Sequence, residues 1–333
     1  MLRRVKFLIL ALVLVASLFH GFPITGGSVM ANSYQPDNTS ETTSYEIYPL
    51  PQNETYLGTS FTITDEVNAV IDETIDEFTI NFLYRIFETK GIEVTLAEEV
   101  ASDKTNVIIG TKDTNGYAET YFDENITYDT AIFDEIDAYV LQIDKQLEDH
   151  GTIAILGLNT DAAYYGLATL NMIFDQLPGK EIQTVKYEDY AHSKWRGFIE
   201  GFYGFPWSHE ARKSLMRFGG QFKMNTYIFG PKDDQYHNSA WRTPYPEDEL
   251  AKIKELVDVG HETKTQFVWA IHPGFNMINW NDYDNELETL LAKLDQLYGV
   301  GVRQFGLFMD DISTTQALQD KDKHVMLITD IAN

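Results

Sequence analysis

From Lys194 onward the chain repeats one rhythm four times. Short β-branched or aromatic runs occur at Trp195–Ile199, Asn225–Phe229, Thr265–Ile271 and Gln304–Met309. Helical spacing of apolar residues follows over Glu210–Phe218, Glu247–His261, Glu286–Leu297 and Lys321–Ile331. The strand starts lie 30 to 40 residues apart. That is the strand–helix repeat of a parallel sheet or barrel. A complete eight-unit barrel takes roughly 250 residues. The 140 residues from Lys194 to Asn333 hold about four units. Two architectures fit: a smaller open sheet, or a barrel cut in half.

The preceding stretch is mixed α/β. Residues 32 to about 60 are polar, rich in Asn, Ser and Thr, and read as an exposed leader. Val67, Ile71, Ile75, Phe78, Phe82 and Ile86 recur at three or four residues, which predicts a helix capped by Asp65, running to about Lys90 and ended by Gly91. Ile92–Leu96, Val107–Gly110, Tyr139–Ile143 and Thr152–Leu156 predict short strands. A second helix is expected from Thr160 or Asp161 through Phe174, stopped by Pro178 and Gly179. Ten acids and one lysine between Glu119 and Asp149 read as a solvated acidic face.

At the start of the chain, Arg3, Arg4 and Lys6 precede an apolar run from Phe7 to Phe19, and Val29 and Ala31 stand at the −3 and −1 positions of a signal-peptidase cut. The run is 13 residues, short of the roughly 20 that span a bilayer. The expected division is a signal peptide over 1–31, a non-catalytic α/β domain over 32–190 and a strand–helix catalytic segment over 194–333. Export to the outside or the cell surface is expected, with no membrane insertion after cleavage. The formal charge of −26 disfavours nucleic acid and anionic membranes as partners. The chain has no cysteine, which removes disulfides, thiolate metal sites and cysteine nucleophiles.

In a strand–helix barrel the reactive groups sit just past the C-terminal ends of the strands. After the first strand comes Glu200-Gly201-Phe202-Tyr203-Gly204-Phe205-Pro206-Trp207. Glycines let a ligand approach the backbone, and aromatic faces suit the C–H faces of a sugar. An ordinary aromatic turn is the alternative. After the second strand, Lys232 in Gly230-Pro231-Lys232-Asp233-Asp234 is either a hydroxyl-binding cation or part of a surface ion-pair cluster. After the third, His272 is a base, a ligand or a partly buried polar group. His209, His237 and His261 lack the spacing of a zinc site, so no metal or other cofactor is expected. After the fourth stands the pair Asp310-Asp311. Two carboxylates in one pocket repel, leaving one protonated for donation and one ionised for charge stabilisation. A helix N-cap is the other use of such a pair.

The run Arg196 to Gly204, with Pro206-Trp207, Asn225-Thr226-Tyr227, Pro231 to Asp234, Pro273-Gly274 and Asp310-Asp311-Ile312, resembles glycoside hydrolase family 84. These are the β-N-acetylglucosaminidases that include the O-GlcNAcases and the bacterial enzymes once named hyaluronidases. The resemblance implies an α/β chain: a small domain like hexosaminidase domain 2, then an eight-stranded TIM barrel of which the first four strand–helix units are present. It implies glycans or glycoproteins carrying terminal β-linked N-acetylglucosamine as substrates, and a retaining mechanism in which the sugar's acetamido oxygen is the nucleophile. It assigns Asp310 to the acetamido N–H and the developing positive charge, Asp311 to general acid and base, and Gly201 and Lys232 to sugar hydroxyls. His272 and Gly230 depart from the residues common in the family, a small polar residue and alanine. The family draws an aromatic hydroxyl and further Asn, Asp and Trp groups from the second half of the barrel. A chain holding only the first half could instead be a non-catalytic module that binds N-acetylglucosamine.

Overall fold

The computed structural model describes residues 44–145, 150–202, 204–272, 278–309 and 313–332. The signal-peptide features at 1–31 lie outside them, as do Tyr203, Pro273-Gly274 and the Asp310-Asp311 pair.

The first layer is a seven-stranded mixed sheet built from β1 (Asn53–Thr62), β2 (Glu66–Ile71), β3 (Glu93–Ala97), β4 (Thr105–Thr111), β5 (Ile136–Asp144), β6 (Thr152–Gly157) and β7 (Glu181–Ala191). Their order is β1-β7-β5-β6-β4-β2-β3. β3, β2, β4 and β6 run parallel; β5, β7 and β1 join antiparallel. β4 and β6 are buried along their whole length. Such strands need apolar residues on both faces, so they read as continuous hydrophobic runs. Val107 and Ile109 point into the core beneath α1 (Glu77–Glu88) and α3 (Thr160–Gln176), where Phe82 stacks on Tyr164 at 4.6 Å. Ile108 faces the opposite cluster, with Phe122 of α2 (Tyr117–Asn125).

Two expectations are corrected here. The helix predicted from Asp65 begins only at Glu77, capped by Asp76, whose Oδ1 accepts from the Thr79 amide at 2.9 Å. Val67 to Val70 form β2, all buried between two parallel neighbours. A strand buried on both faces has no alternation to mark it, so the spacing of Val67, Ile71 and Ile75 imitates a helix. The leader predicted to about residue 60 contains β1, paired along β7. β1 is an edge strand, mostly exposed and bulged near Gly58 at φ +78°, so it carries little apolar signal. The second helix starts at Thr160, as expected, with Asn159 as its cap.

The second layer is a four-stranded parallel sheet of β8 (Gly197–Glu200), β9 (Thr226–Phe229), β10 (Gln266–Ile271) and β11 (Gln304–Leu307), in sequential order. It is interleaved with α4 (His209–Gln221), α5 (Glu247–Thr263) and α6 (Tyr283–Gly299), and followed by α7 (Thr314–Gln319) and α8 (Lys321–Ala332). All four predicted strand–helix units are present. Among the described residues the sheet is open, and no closed barrel forms. No described helix is long and apolar enough to cross a membrane.

The two layers meet through cations of the second and acids of the first. Lys223, just past α4, donates to Asp189 at 2.8 Å and to the Tyr139 hydroxyl at 2.9 Å, all buried. Lys264, just past α5, pairs with Asp76 and with Asp161 at 2.9 Å. Asp76 and Asp161 follow the C-terminal ends of β2 and β6, so Lys264 ties the second layer to the strand-end side of the first sheet.

Candidate active site

The parallel register of β8 to β11 sets four chain segments side by side at one edge. The Gly230 amide donates to the Glu200 carbonyl at 3.1 Å, and the Phe308 amide to the Ile271 carbonyl at 2.8 Å. Gly201, Gly230, His272 and Phe308 are therefore the residues that leave four adjacent strands. Lys232 follows β9 by three residues and sits in the turn closed by the Asp234 amide on the Pro231 carbonyl at 3.0 Å. The structure brings Gly201 and the Lys232 turn to neighbouring strand ends. Asp310 and Asp311 follow Met309 in the chain and lie outside the described residues.

Glu200 is a built part of this edge that sequence reasoning did not single out. It is 1% exposed. It accepts two hydrogen bonds from Arg212, at 2.8 and 2.9 Å, one from the Tyr227 hydroxyl at 2.5 Å and one from the Trp207 amide at 3.1 Å. Burial works against the Arg212 charge, but the hydrogen bonds and charge of Glu200 more than restore it, so Arg212 stays a cation. Burial and the Glu200 charge push the Tyr227 hydroxyl up, so it stays a donor. With four donors on its two oxygens, Glu200 anchors the aromatic loop rather than reacting. The signal in the sequence is a strand-end glutamate with an arginine in the first turn of the next helix.

The aromatic loop divides into anchored and exposed rings. Trp207 packs on Phe198 at 6.0 Å and Phe202 at 5.4 Å between ring centroids. Phe205 is 96% exposed.

The glycines at the edge differ in kind. A Cβ on Gly230 would lie 2.4 Å from the Phe308 ring, so the ring fills the volume an alanine methyl would take. That accounts for glycine at this departure from the family pattern. A Cβ on Gly201 would meet only Ile199 side-chain atoms, at 3.8 and 3.9 Å, and the backbone there does not require glycine. His272, the other departure, is buried with its ring edge-on to Phe308 at 6.5 Å between centroids.

Behind the Lys232 turn lies a buried polar network. Asp234 accepts from the Tyr236 amide at 2.8 Å and the Tyr245 hydroxyl at 2.5 Å, and that hydroxyl accepts from the Trp269 indole at 3.0 Å. Lys293, from α6, donates to the Tyr236 and Thr243 carbonyls and lies 4.5 Å from the Tyr245 ring centroid. Burial raises the Asp234 carboxyl and lowers the Lys293 ammonium to about 8. The density of aromatic and polar residues between Gly230 and Tyr245 was the available sign that this loop is ordered. Among the described residues no cluster of three His, Cys, Asp or Glu side chains is placed to hold a metal ion.

Comparison with known proteins gives matches to both layers. A family model described as beta-N-acetylglucosaminidase matches residues 196–333, and one described as glycosyl hydrolase family 20, domain 2, matches 44–190. The protein O-GlcNAcases of Rattus norvegicus and Mus musculus are each 39% identical over 126 residues, 38% of this chain and 14% of theirs. The solved structure of CpGH84D superimposes with a TM-score of 0.75 at 45% identity, over 86% of this chain and 48% of that one. That of CpGH84B gives 0.69 at 29% identity, over 84% and 48%. The fold is of mixed α/β architecture and is similar to that of glycoside hydrolases. The matches together support a likeness to the O-GlcNAcase-like glycoside hydrolase family 84. The chain spans about half the length of those solved structures and about a seventh of the curated relatives.

Proposed function

We propose that this chain supplies the acid pair and part of the sugar pocket of an exported β-N-acetylglucosaminidase. The observation that carries the proposal is the convergence of the Gly201 loop, the Lys232 turn, His272 and the Phe308-Met309 segment at one edge of four adjacent parallel strands. In this reading the open sheet is the first half of an eight-stranded barrel, and further strands complete the pocket.

The chemistry proceeds by neighbouring-group participation. The 2-acetamido oxygen of the bound sugar attacks C1 as the bond to the leaving oxygen breaks, giving an oxazoline. Asp310 holds the acetamido N–H and offsets the developing positive charge. Asp311 donates its proton to the leaving oxygen, then takes one from the water that opens the oxazoline with retained configuration. Two adjacent carboxyls suit this division, because repulsion keeps one protonated while the other is ionised. The Gly201 backbone and Lys232 bind sugar hydroxyls. The substrates are glycans or glycoproteins ending in β-linked N-acetylglucosamine, and the −26 charge works against polyanionic ones such as hyaluronan fragments.

The test is hydrolysis of aryl β-N-acetylglucosaminides by the full-length protein. Asp311→Asn is expected to lower kcat by about 10²- to 10⁴-fold for a poor leaving group, the usual worth of general acid–base catalysis. The loss is expected to shrink for a nitrophenol, which departs without a proton. An unchanged rate on both would remove Asp311 from the mechanism.

A further inference from the structure

His237 is fully buried in the loop after β9, and its side chain and backbone serve different strand ends. Its Nε2 lies 2.8 Å from the Pro231 carbonyl, the same oxygen that accepts the Asp234 amide closing the turn around Lys232. Its own carbonyl accepts the His272 amide at 2.8 Å, just beyond β10. A carbonyl can only accept, so Nε2 carries the hydrogen in this contact. Burial, with His272 and the Lys232 charge acting in the same direction, lowers the imidazole to about 4 and keeps it neutral. A neutral Nε2–H tautomer is therefore the form that fits. The next contacts in the series are the His272 ring against Phe308 and the Phe308 amide on Ile271. One imidazole thus sits between the turn carrying Lys232 and the strand ends leading toward Asp310 and Asp311.

We propose that His237 is a positioning residue for sugar recognition: its Nε2–H fixes the Pro231–Asp234 turn and so sets the reach of Lys232 to the substrate hydroxyls. The proposal rests on the reading of Lys232 as a sugar-binding group. Lys232 reaches substrate; His237 acts through it. Removing the imidazole donor frees the turn from one side while Asp234 still closes it from the other. Ground-state binding then weakens while the acid pair is unaffected.

The test is a double-mutant cycle in the full-length protein, with 4-nitrophenyl β-N-acetylglucosaminide as the probe. His237→Leu is expected to raise KM about 10-fold with kcat within about threefold of wild type. His237→Gln, whose amide nitrogen reaches the imidazole Nε2 position, restores most of the loss, and the shorter His237→Asn does not. On a Lys232→Ala background, His237→Leu is expected to add less than about twofold, because the group it positions is gone. If the leucine variant does not fold, the glutamine and asparagine variants carry the comparison by themselves. Equal KM for Gln and Asn, or an effect of His237→Leu that multiplies undiminished onto Lys232→Ala, overturns the positioning role. A Lys232→Ala variant with wild-type KM overturns the reading of Lys232, and the role of His237 with it.

Discussion

The two sheets follow the same α/β grammar and spend their strand ends differently. In the first, the groups just past β2, β4 and β6 are consumed by structure. Asp72 accepts the Tyr117 amide at the start of α2, Asp76 caps α1, and Asp76 and Asp161 take Lys264 from the other layer. In the second, Glu200 and Asp234 are saturated in the same way. The rest of that edge carries a glycine the fold does not require, a lysine at a turn, exposed aromatic rings and the residues leading to two aspartates. A strand end whose polar groups are spent on capping and pairing is scaffold, and a strand end that carries a lysine turn beside an exposed aromatic loop is a candidate site.

The comparison breaks most visibly at the buried contact between layers. Asp189→Ala leaves Lys223 buried beside Tyr139 without a counter-charge, and burial already lowers the Lys223 ammonium. Removing one member of a buried pair costs about 3–5 kcal/mol. Urea unfolding should show that loss. A loss below about 1 kcal/mol, the level of an exposed pair, would mean that the layers are held by other contacts.

Gly230→Ala comes next. The added methyl must displace the Phe308 ring, an overpacking that costs about 1–3 kcal/mol. The thermal midpoint should fall, and with it the rate on aryl substrate, because Phe308 leads directly to the acid pair. A stable, fully active alanine variant would show that the ring is not fixed by this contact.

Glu119 sharpens the scaffold side. It was counted among ten acids of a solvated face, yet it is buried. Its carboxylate takes Lys112 at 2.5 Å and the amides of Asp113, Thr114 and Asn115 at 3.0, 2.9 and 2.8 Å. Burial opposes ionisation there, but these four donors outweigh it and hold the carboxyl at about 2. A depressed carboxyl adds stability that is fully present above its ordinary value of 4.5 and is lost as pH falls through about 2. Glu119→Gln should cost about 1–3 kcal/mol at neutral pH and flatten the acid limb between those values. An acid limb identical to wild type would place Glu119 back on the solvated face.

Legibility in the sequence tracked how each element is buried. The four strand–helix units were plain, because short apolar or aromatic runs alternate regularly with amphipathic helices, and β9 and β10 are buried along most of their length. β2 was misread because it is buried on both faces: Val67 to Val70 show no alternation, and the spacing on to Ile75 looks helical. β1 was invisible because an exposed edge strand hardly selects its residues. At the site, Gly201, Lys232 and His272 were legible by place alone, as residues that leave predicted strands. The partners of Glu200 and the His237 contact were not, because hydrogen bonds between residues 6 to 27 positions apart leave no periodic mark.

The smallest expected stability effect carries the most about function. Gly201→Ala places a methyl at ordinary contact distance from Ile199, in a backbone conformation open to any residue. Its stability should stay within about 0.5 kcal/mol of wild type, the range of substitutions that meet no obstacle. Gly230→Ala supplies the contrast, since both glycines sit at neighbouring strand ends and only one is held by packing. If the Gly201 backbone faces the sugar, the same methyl that the fold tolerates intrudes on the ligand. The affinity for N-acetylglucosamine, measured by calorimetry on the full-length protein, should then fall about 10-fold or more, the result of crowding a close approach between backbone and ligand. Unchanged affinity together with unchanged stability would leave Gly201 with no role, and the sugar would have to approach this edge from the side of the Lys232 turn.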